Sequence, residues 1–308
     1  MLNQRVNYFF RLNWGLGYMM NNIIKRPYRI LADFMKVYQF MLDNYSVDWK
    51  YGVPASFFEY SQTSYWTDLS QSHRNAIWEH NGKVVGFCFY EAHIGDAYFN
   101  LIDGYESLIP DMITHAEQRL RKDDGSLELK IFMSQKNVVD AAKNMGYEKV
   151  NEWTDGIYDF SKAPLNYQLP EGFSFEEPGN FDMKKMIEAS WRGFNHDSEP
   201  EGGVERGYHL ISAPHATPEL NIIIKNSKGE YVCYAGMWMV PENDLAYMEP
   251  LCTVPEYRRI GLASAALSEL YRRTVSKGAT HMTGGSNEFY FAIGYEPIIK
   301  WSVWKKIK

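Results

Sequence analysis

The sequence predicts an α/β protein built from two copies of one mixed-sheet module. Three observations carry this expectation. Strand-like and helix-like apolar periods alternate through the second half, short signatures recur between the halves at near-constant spacing, and a segment rich in proline and polar residues separates them.

The recurrences are specific pairs. Ala97-Tyr98 and Ala246-Tyr247 lie 149 residues apart, Gly86 and Gly236 lie 150 apart, and Gly146-Tyr147-Glu148 precedes Gly294-Tyr295-Glu296 by 148. The separating segment runs from Ser161 to Phe173, which gives one domain over 1–165 and a second over 166–308. With 308 residues, 45% of them hydrophobic, the chain can bury two cores.

In the second half the order read from the sequence is strand, two helices, three strands, helix, strand, helix, strand. A strand around Phe173 to Glu176 opens it, and helices follow near Phe181 to Phe194 and Val204 to Ser212. Strands near Leu220 to Lys225, Tyr231 to Val240 and Leu245 to Thr253 are rich in β-branched and aromatic residues and are bounded by turn residues. The next helix, Leu262 to Ser276, ends on Lys277-Gly278, a basic last turn followed by a glycine able to take a left-handed conformation.

Composition narrows the function. A formal net charge of -6 disfavours general nucleic-acid binding, which needs a basic face. No apolar stretch reaches the roughly 20 residues of a membrane helix, and the first 20 residues are too polar for a leader, so a cytoplasmic protein is expected. Cys88, Cys233 and Cys252 are scattered in apolar surroundings and read as free, buried thiols. The eight histidines do not cluster with carboxylates at metal-ligand spacing.

The densest signal is Val254 to Leu267, where an apolar strand passes through a proline turn into an alanine-rich helix. The joint reads Arg258-Arg259-Ile260-Gly261-Leu262-Ala263, followed by Ser264. Free backbone N–H groups and the positive end of the helix dipole suit a pyrophosphate there, and Gly261 allows a close approach. Glu249 stands on the preceding strand, and Tyr290 lies four residues ahead of Gly294-Tyr295.

These motifs, in this order from about Glu171 to the end, resemble the GCN5-related N-acetyltransferase (GNAT) family. The family's pyrophosphate loop, Gln/Arg-x-x-Gly-x-Gly/Ala, matches Arg258 to Ala263, and its Tyr-x-x-x-Gly-Tyr/Phe ending matches Tyr290 to Tyr295. The resemblance implies a tandem protein that binds acetyl-CoA and acetylates an amine. It assigns Glu249 as base, through a water, and Tyr290 as acid to the departing thiolate. It also assigns the backbone of Leu251, Cys252 and Thr253 to the pantetheine and the thioester carbonyl. Asn287 either caps the last helix or touches the pantetheine, and capping is the expected role. A nucleophilic Cys252 is not expected, because no histidine lies near it in sequence.

The first half lacks these residues. Carried back by 149, Arg258 becomes Ile109, Gly261 becomes Met112, Ala263 becomes Thr114 and Glu249 becomes Asn100; by 148, Tyr290 becomes Ala142. That copy is expected to keep the fold without the cofactor site. Acceptor recognition is assigned to Trp191 and to the acidic segment Asn195 to Glu205, chiefly Asp197 and Glu199, with His196 and His215 as further candidates. The expected partner is a small-molecule amine, with no nucleic acid and no membrane; a homodimer stays open. The alternative is a non-catalytic acyl-CoA-binding sensor, which would have no need of Glu249 and Tyr290 together.

Overall fold

The computed structural model describes residues 22–198, 200 and 203–306, so the N-terminal stretch read as too polar for a leader lies outside it. The first half contributes strands β1 (Ile23–Pro27), β2 (Ala76–His80), β3 (Lys83–Phe89), β4 (Asp96–Leu101), β5 (Glu128–Phe132) and β6 (Tyr147–Asp159). Its helices are α1 (Ile30–Asp43), α2 (Ala55–Thr63), α3 (Ile109–Arg119) and α4 (Lys136–Asn144). The second half runs β7 (Phe173–Phe175), α5 (Met183–Gly193), α6 (Gly207–Ile211), β8 (Ile222–Asn226), β9 (Tyr231–Val240) and β10 (Leu245–Thr253). It closes with α7 (Leu262–Val275), β11 (His281–Thr283), α8 (Glu288–Ala292) and β12 (Glu296–Lys306).

Local chemistry explains these boundaries. All ten residues of β9 are buried, which fits a strand covered on both faces. Asp182 caps α5 by accepting a hydrogen bond from the Lys185 N–H. Gly278, with φ 93°, turns the chain away after α7 as its sequence position suggests.

The twelve strands form one sheet in the order β1-β2-β3-β4-β5-β12-β6-β11-β10-β9-β8-β7. Read from either edge, the first five strands belong to one half and the sixth to the other. The halves therefore exchange their final strands, and the sheet runs without a break across the chain division expected near residue 165. Trp153 of β6 pairs directly with Trp301 of β12, their rings stacked at 5.2 Å and 13°. These residues are 148 apart, the repeat distance seen in the sequence, so a local two-fold passes between them.

The same face of the sheet carries a core shared by both halves, in which α1 and α2 meet Trp238, Tyr247 and Trp301. Polar ties reinforce it. Buried Glu59 of α2 accepts hydrogen bonds from the His215 N–H (2.7 Å) and meets its Nδ1 at 2.6 Å, while the His215 ring stacks on Tyr38 at 4.0 Å. Tyr45 Oη and His281 Nε2 are 2.6 Å apart. The opposite face packs separately in each half, α3 and α4 over the first and α7 over the second.

Candidate active site

The site is built where β10 departs from regular geometry. Met248 pairs with Met237 and Leu251 with Ala235, so Glu249 and Pro250 bulge opposite Gly236 alone. Glycine is required there, because a Cβ would collide with the Glu249 carbonyl oxygen. The Glu249–Pro250 peptide is cis. On its other side β10 pairs with parallel β11 only at Leu245–His281 and Ala246–Met282. The Met248 N–H then donates to Thr283 Oγ1 at 2.8 Å, and the strands separate.

The gap leads into a cleft of about 520 Å³. Leu251, Cys252 and Thr253 line one wall, Arg258, Arg259 and Gly261 to Ser264 the second, and Asn287 and Tyr290 the third. Arg259 (φ 62°) and Gly261 (φ 94°) both adopt left-handed conformations, curling the loop so that successive backbone N–H groups precede the fourteen-residue α7. This is an anion cradle by geometry. The Arg258 side chain turns away from it, donating to the carbonyls of Thr253 (3.0 Å) and Gly193 (2.8 Å) and to Asn195 Oδ1 (2.8 Å). Among the residues assigned to the cofactor, Ile260 alone falls outside this lining, exposed on the far side of the loop.

Three expectations are corrected here. Asn287 sits at the N-cap of α8, but its side chain makes no capping hydrogen bond; the exposed amide stands at the cleft instead. Of the acidic segment, His196, Pro200 and Gly203 line a second cavity described below, but its described carboxylates do not. Asp197 is exposed and outside the lining of both site cavities, Glu205 is exposed, and Glu199 and Glu201 lie outside the described residues. His215 is likewise withdrawn from the site by its bonds to Glu59.

Glu249 and Pro250 face a second cavity, of about 310 Å³. The second half supplies Met186, Ser190 and Trp191 of α5, together with Phe194 and His196. Tyr60, Ser64, Tyr65 and Trp66 complete the wall from the first half. Trp191, expected to meet the acceptor, stands in this lining; its indole N–H donates to the Ser198 carbonyl at 2.6 Å and its ring stacks on His196 at 3.9 Å. The first-half residues were not foreseen, since nothing in the spacing of a loop such as Ser64-Tyr65-Trp66 signals a ligand site.

Electrostatics single out two groups. Burial, aided by repulsion from Glu91 and Asp155, pushes the Glu249 carboxyl up to about 8. Burial and the nearby Glu249 carboxylate likewise raise the Tyr290 phenol above its ordinary value. Tyr290 packs against Gly284 and Gly285, and any side chain at Gly284 would strike its ring and that of Tyr295. Burial also drives the Cys252 thiol up to about 12, the opposite of what a nucleophile needs. All three cysteines are free and buried, and among the described residues no cluster of potential metal ligands occurs. Nor is any described helix long and apolar enough to cross a membrane.

In the first half the edge of the corresponding gap is bonded by its own chain, beside a cavity of about 390 Å³ lined by Tyr51, Leu101, Ile109 and Gln135. Asn100, in the place of Glu249, donates to the Val53 carbonyl at 2.8 Å, and the Leu101 N–H donates to the Tyr51 carbonyl at 3.0 Å. Gln135 Nε2 bridges to the Phe99 carbonyl at 2.7 Å between β4 and β5. The α3 start has Leu108 in a right-handed conformation and proline in its first turn, with no cradle.

Residues 183–292 match the family model described as the acetyltransferase (GNAT) family. No curated protein matches the chain. Among solved structures, a GCN5-related N-acetyltransferase from Sphaerobacter thermophilus is similar at a TM-score of 0.60 and 14% identity, over 92% of this chain and 95% of that one. An acetyltransferase from the GNAT family from Colwellia psychrerythraea gives 0.60 and 13%, over 92% and 100%. A tandem GNAT protein from the clavulanic acid biosynthesis pathway gives 0.60 and 12%, over 93% and 99%. At such identities these likenesses bear on the fold alone.

Proposed function

Residues 183–292 form a GNAT acetyltransferase domain, and from that premise we propose that the chain transfers an acetyl group from acetyl-CoA to a primary amine of a small molecule. The family and fold support an acyltransferase activity; the donor, the acceptor and the residue roles are our reading. One observation carries it. A single strand, β10, presents Glu249 to one cavity and Leu251 to Thr253 to the next, so two substrates would meet across one bulge.

The cleft's residues fit the donor. The left-handed turn at Arg259 and Gly261 offers backbone donors to a pyrophosphate, Ala263 and Ser264 leave room beside it, and unpaired β10 backbone faces a pantetheine arm. Bound there, acetyl-CoA supplies an activated thioester. Glu249 accepts the proton that the acceptor ammonium loses, directly or through a water, and a carboxyl near 8 is matched to that task. As the new C–N bond forms and the C–S bond breaks, Tyr290 donates its phenolic proton to the sulfur. Its raised pKa keeps that proton in place until the thiolate appears. The first half, whose helix start has no left-handed turn, serves as a wall for the acceptor and as half of the shared sheet.

The test is CoA release from acetyl-CoA in the presence of amines, with the acetylated product identified by mass. Amine-dependent release that is lost in Glu249→Gln and Tyr290→Phe supports the reading. Binding of acetyl-CoA without turnover of any amine would favour the sensor alternative.

A further inference from the structure

The cavity beside Glu249 has a lining that selects among amines. Among the described residues Glu249 is the one carboxylate in that lining, and neither lysine nor arginine takes part. The remaining lining is largely apolar and aromatic. Tyr60 and Trp66 approach each other edge to face at 6.0 Å, and Tyr65 meets Trp191 at 6.4 Å, so rings from the two halves face one another across the space. The Trp191 N–H is already committed to Ser198 and one ring face to His196, so the indole meets the cavity as an apolar group. Against this described lining a second cation, as in a polyamine or an aminoglycoside, would be desolvated with no counter-charge besides Glu249, at substantial cost. A volume of about 310 Å³ lies at the lower end of small-molecule sites and suits roughly a dozen non-hydrogen atoms.

We propose that the acceptor is a primary amine bearing one apolar group of aromatic size, with its nitrogen at Glu249 and that group held between Trp191 and the first-half residues Tyr65 and Trp66. The inference rests on the acyltransferase reading and extends it to acceptor class. It gives the first half a specific task. The copy without a cofactor site reads the acceptor for the copy that has one. The described carboxylates of the acidic segment lie outside the cavity.

The experiment compares kcat/KM for phenethylamine, tryptamine, spermidine and kanamycin by CoA release, alongside calorimetric binding of acetyl-CoA. The arylalkylamines should exceed spermidine and kanamycin by at least about ten-fold. Trp66→Ala should raise KM for phenethylamine about ten-fold or more, with kcat and the KM for acetyl-CoA little changed; Trp66→Phe should recover most of the loss. The ranking in the unaltered protein does not depend on how Trp66→Ala folds. Equal or better turnover of spermidine or kanamycin would overturn the acceptor class and leave the acyltransferase reading standing. Acetyl-CoA binding with no acetylation of either arylalkylamine would also overturn it. Failure to bind acetyl-CoA would remove the acyltransferase reading and this inference with it.

Discussion

Glu249→Gln removes a carboxyl whose ionisation is set by burial and by Glu91 and Asp155, at about 8. Such a group is about one-tenth ionised at pH 7 and about nine-tenths ionised at pH 9. If it is the base, kcat/KM of the unaltered protein rises about nine-fold over that interval and then levels. Glutamine abolishes this rise, and at pH 9 the rate falls about 10²- to 10⁴-fold. The acceptor ammonium loses its own proton as pH increases, but it contributes the same slope to both proteins, so the difference between profiles isolates Glu249. A linked effect appears in stability. The folded chain keeps this proton up to about 8, whereas the unfolded chain releases it near the ordinary value of 4.5. Stability therefore falls as pH rises through that window, and the variant escapes the loss. Because Glu249 is only half-buried, a contribution of about 1 kcal/mol is appropriate, equivalent to a relative Tm gain of about 2–4 °C at pH 9 over pH 5. Steady-state profiles and thermal melts on both proteins provide the readout. Superimposable rate profiles, or a Tm difference independent of pH, would refute the reasoning.

Three further outcomes are expected. Tyr290→Phe, which removes only a hydroxyl from a buried ring, should lower kcat about ten-fold or more while calorimetry finds acetyl-CoA affinity nearly unchanged. Gly261→Val should abolish acetyl-CoA binding with little loss of Tm; Pro170 Cγ, 3.9 Å away, is the nearest neighbour a Cβ would meet, so the damage comes from forcing φ 94° on a β-branched residue. Trp301→Ala empties a site ringed by Trp49, Phe132 and Trp153 and should cost about 3–5 kcal/mol, read as one thermal transition at lower temperature because the sheet is shared.

Much of the second half was legible because its periods are strong. The strands expected at Tyr231 to Val240 and Leu245 to Thr253 have those bounds in the structure, and the helix expected from Leu262 ends within a residue of its assigned end. Trp153 and Trp301 stand one repeat distance apart, 148 residues, but periodicity identifies a strand without naming its partner. The exchange of β6 and β12 was therefore invisible. Residues tied to backbone conformation, such as Gly261 and Leu251 to Thr253, line one cleft because the motif occupies one short segment of chain. Asn287 was misread as a cap because its position satisfies the capping rule while its side chain does not. Tyr65 and Trp66 could not be found, since they reach Glu249 only through the tertiary contact of α2 with the second half.

The most direct test of the account is calorimetric titration of the full chain with acetyl-CoA, repeated on Gly261→Val. One site per chain is predicted, lost in the variant, because the first-half helix start lacks the left-handed turn that the second half has at Arg259 and Gly261. Two sites per chain, or a single site that survives Gly261→Val, would contradict it.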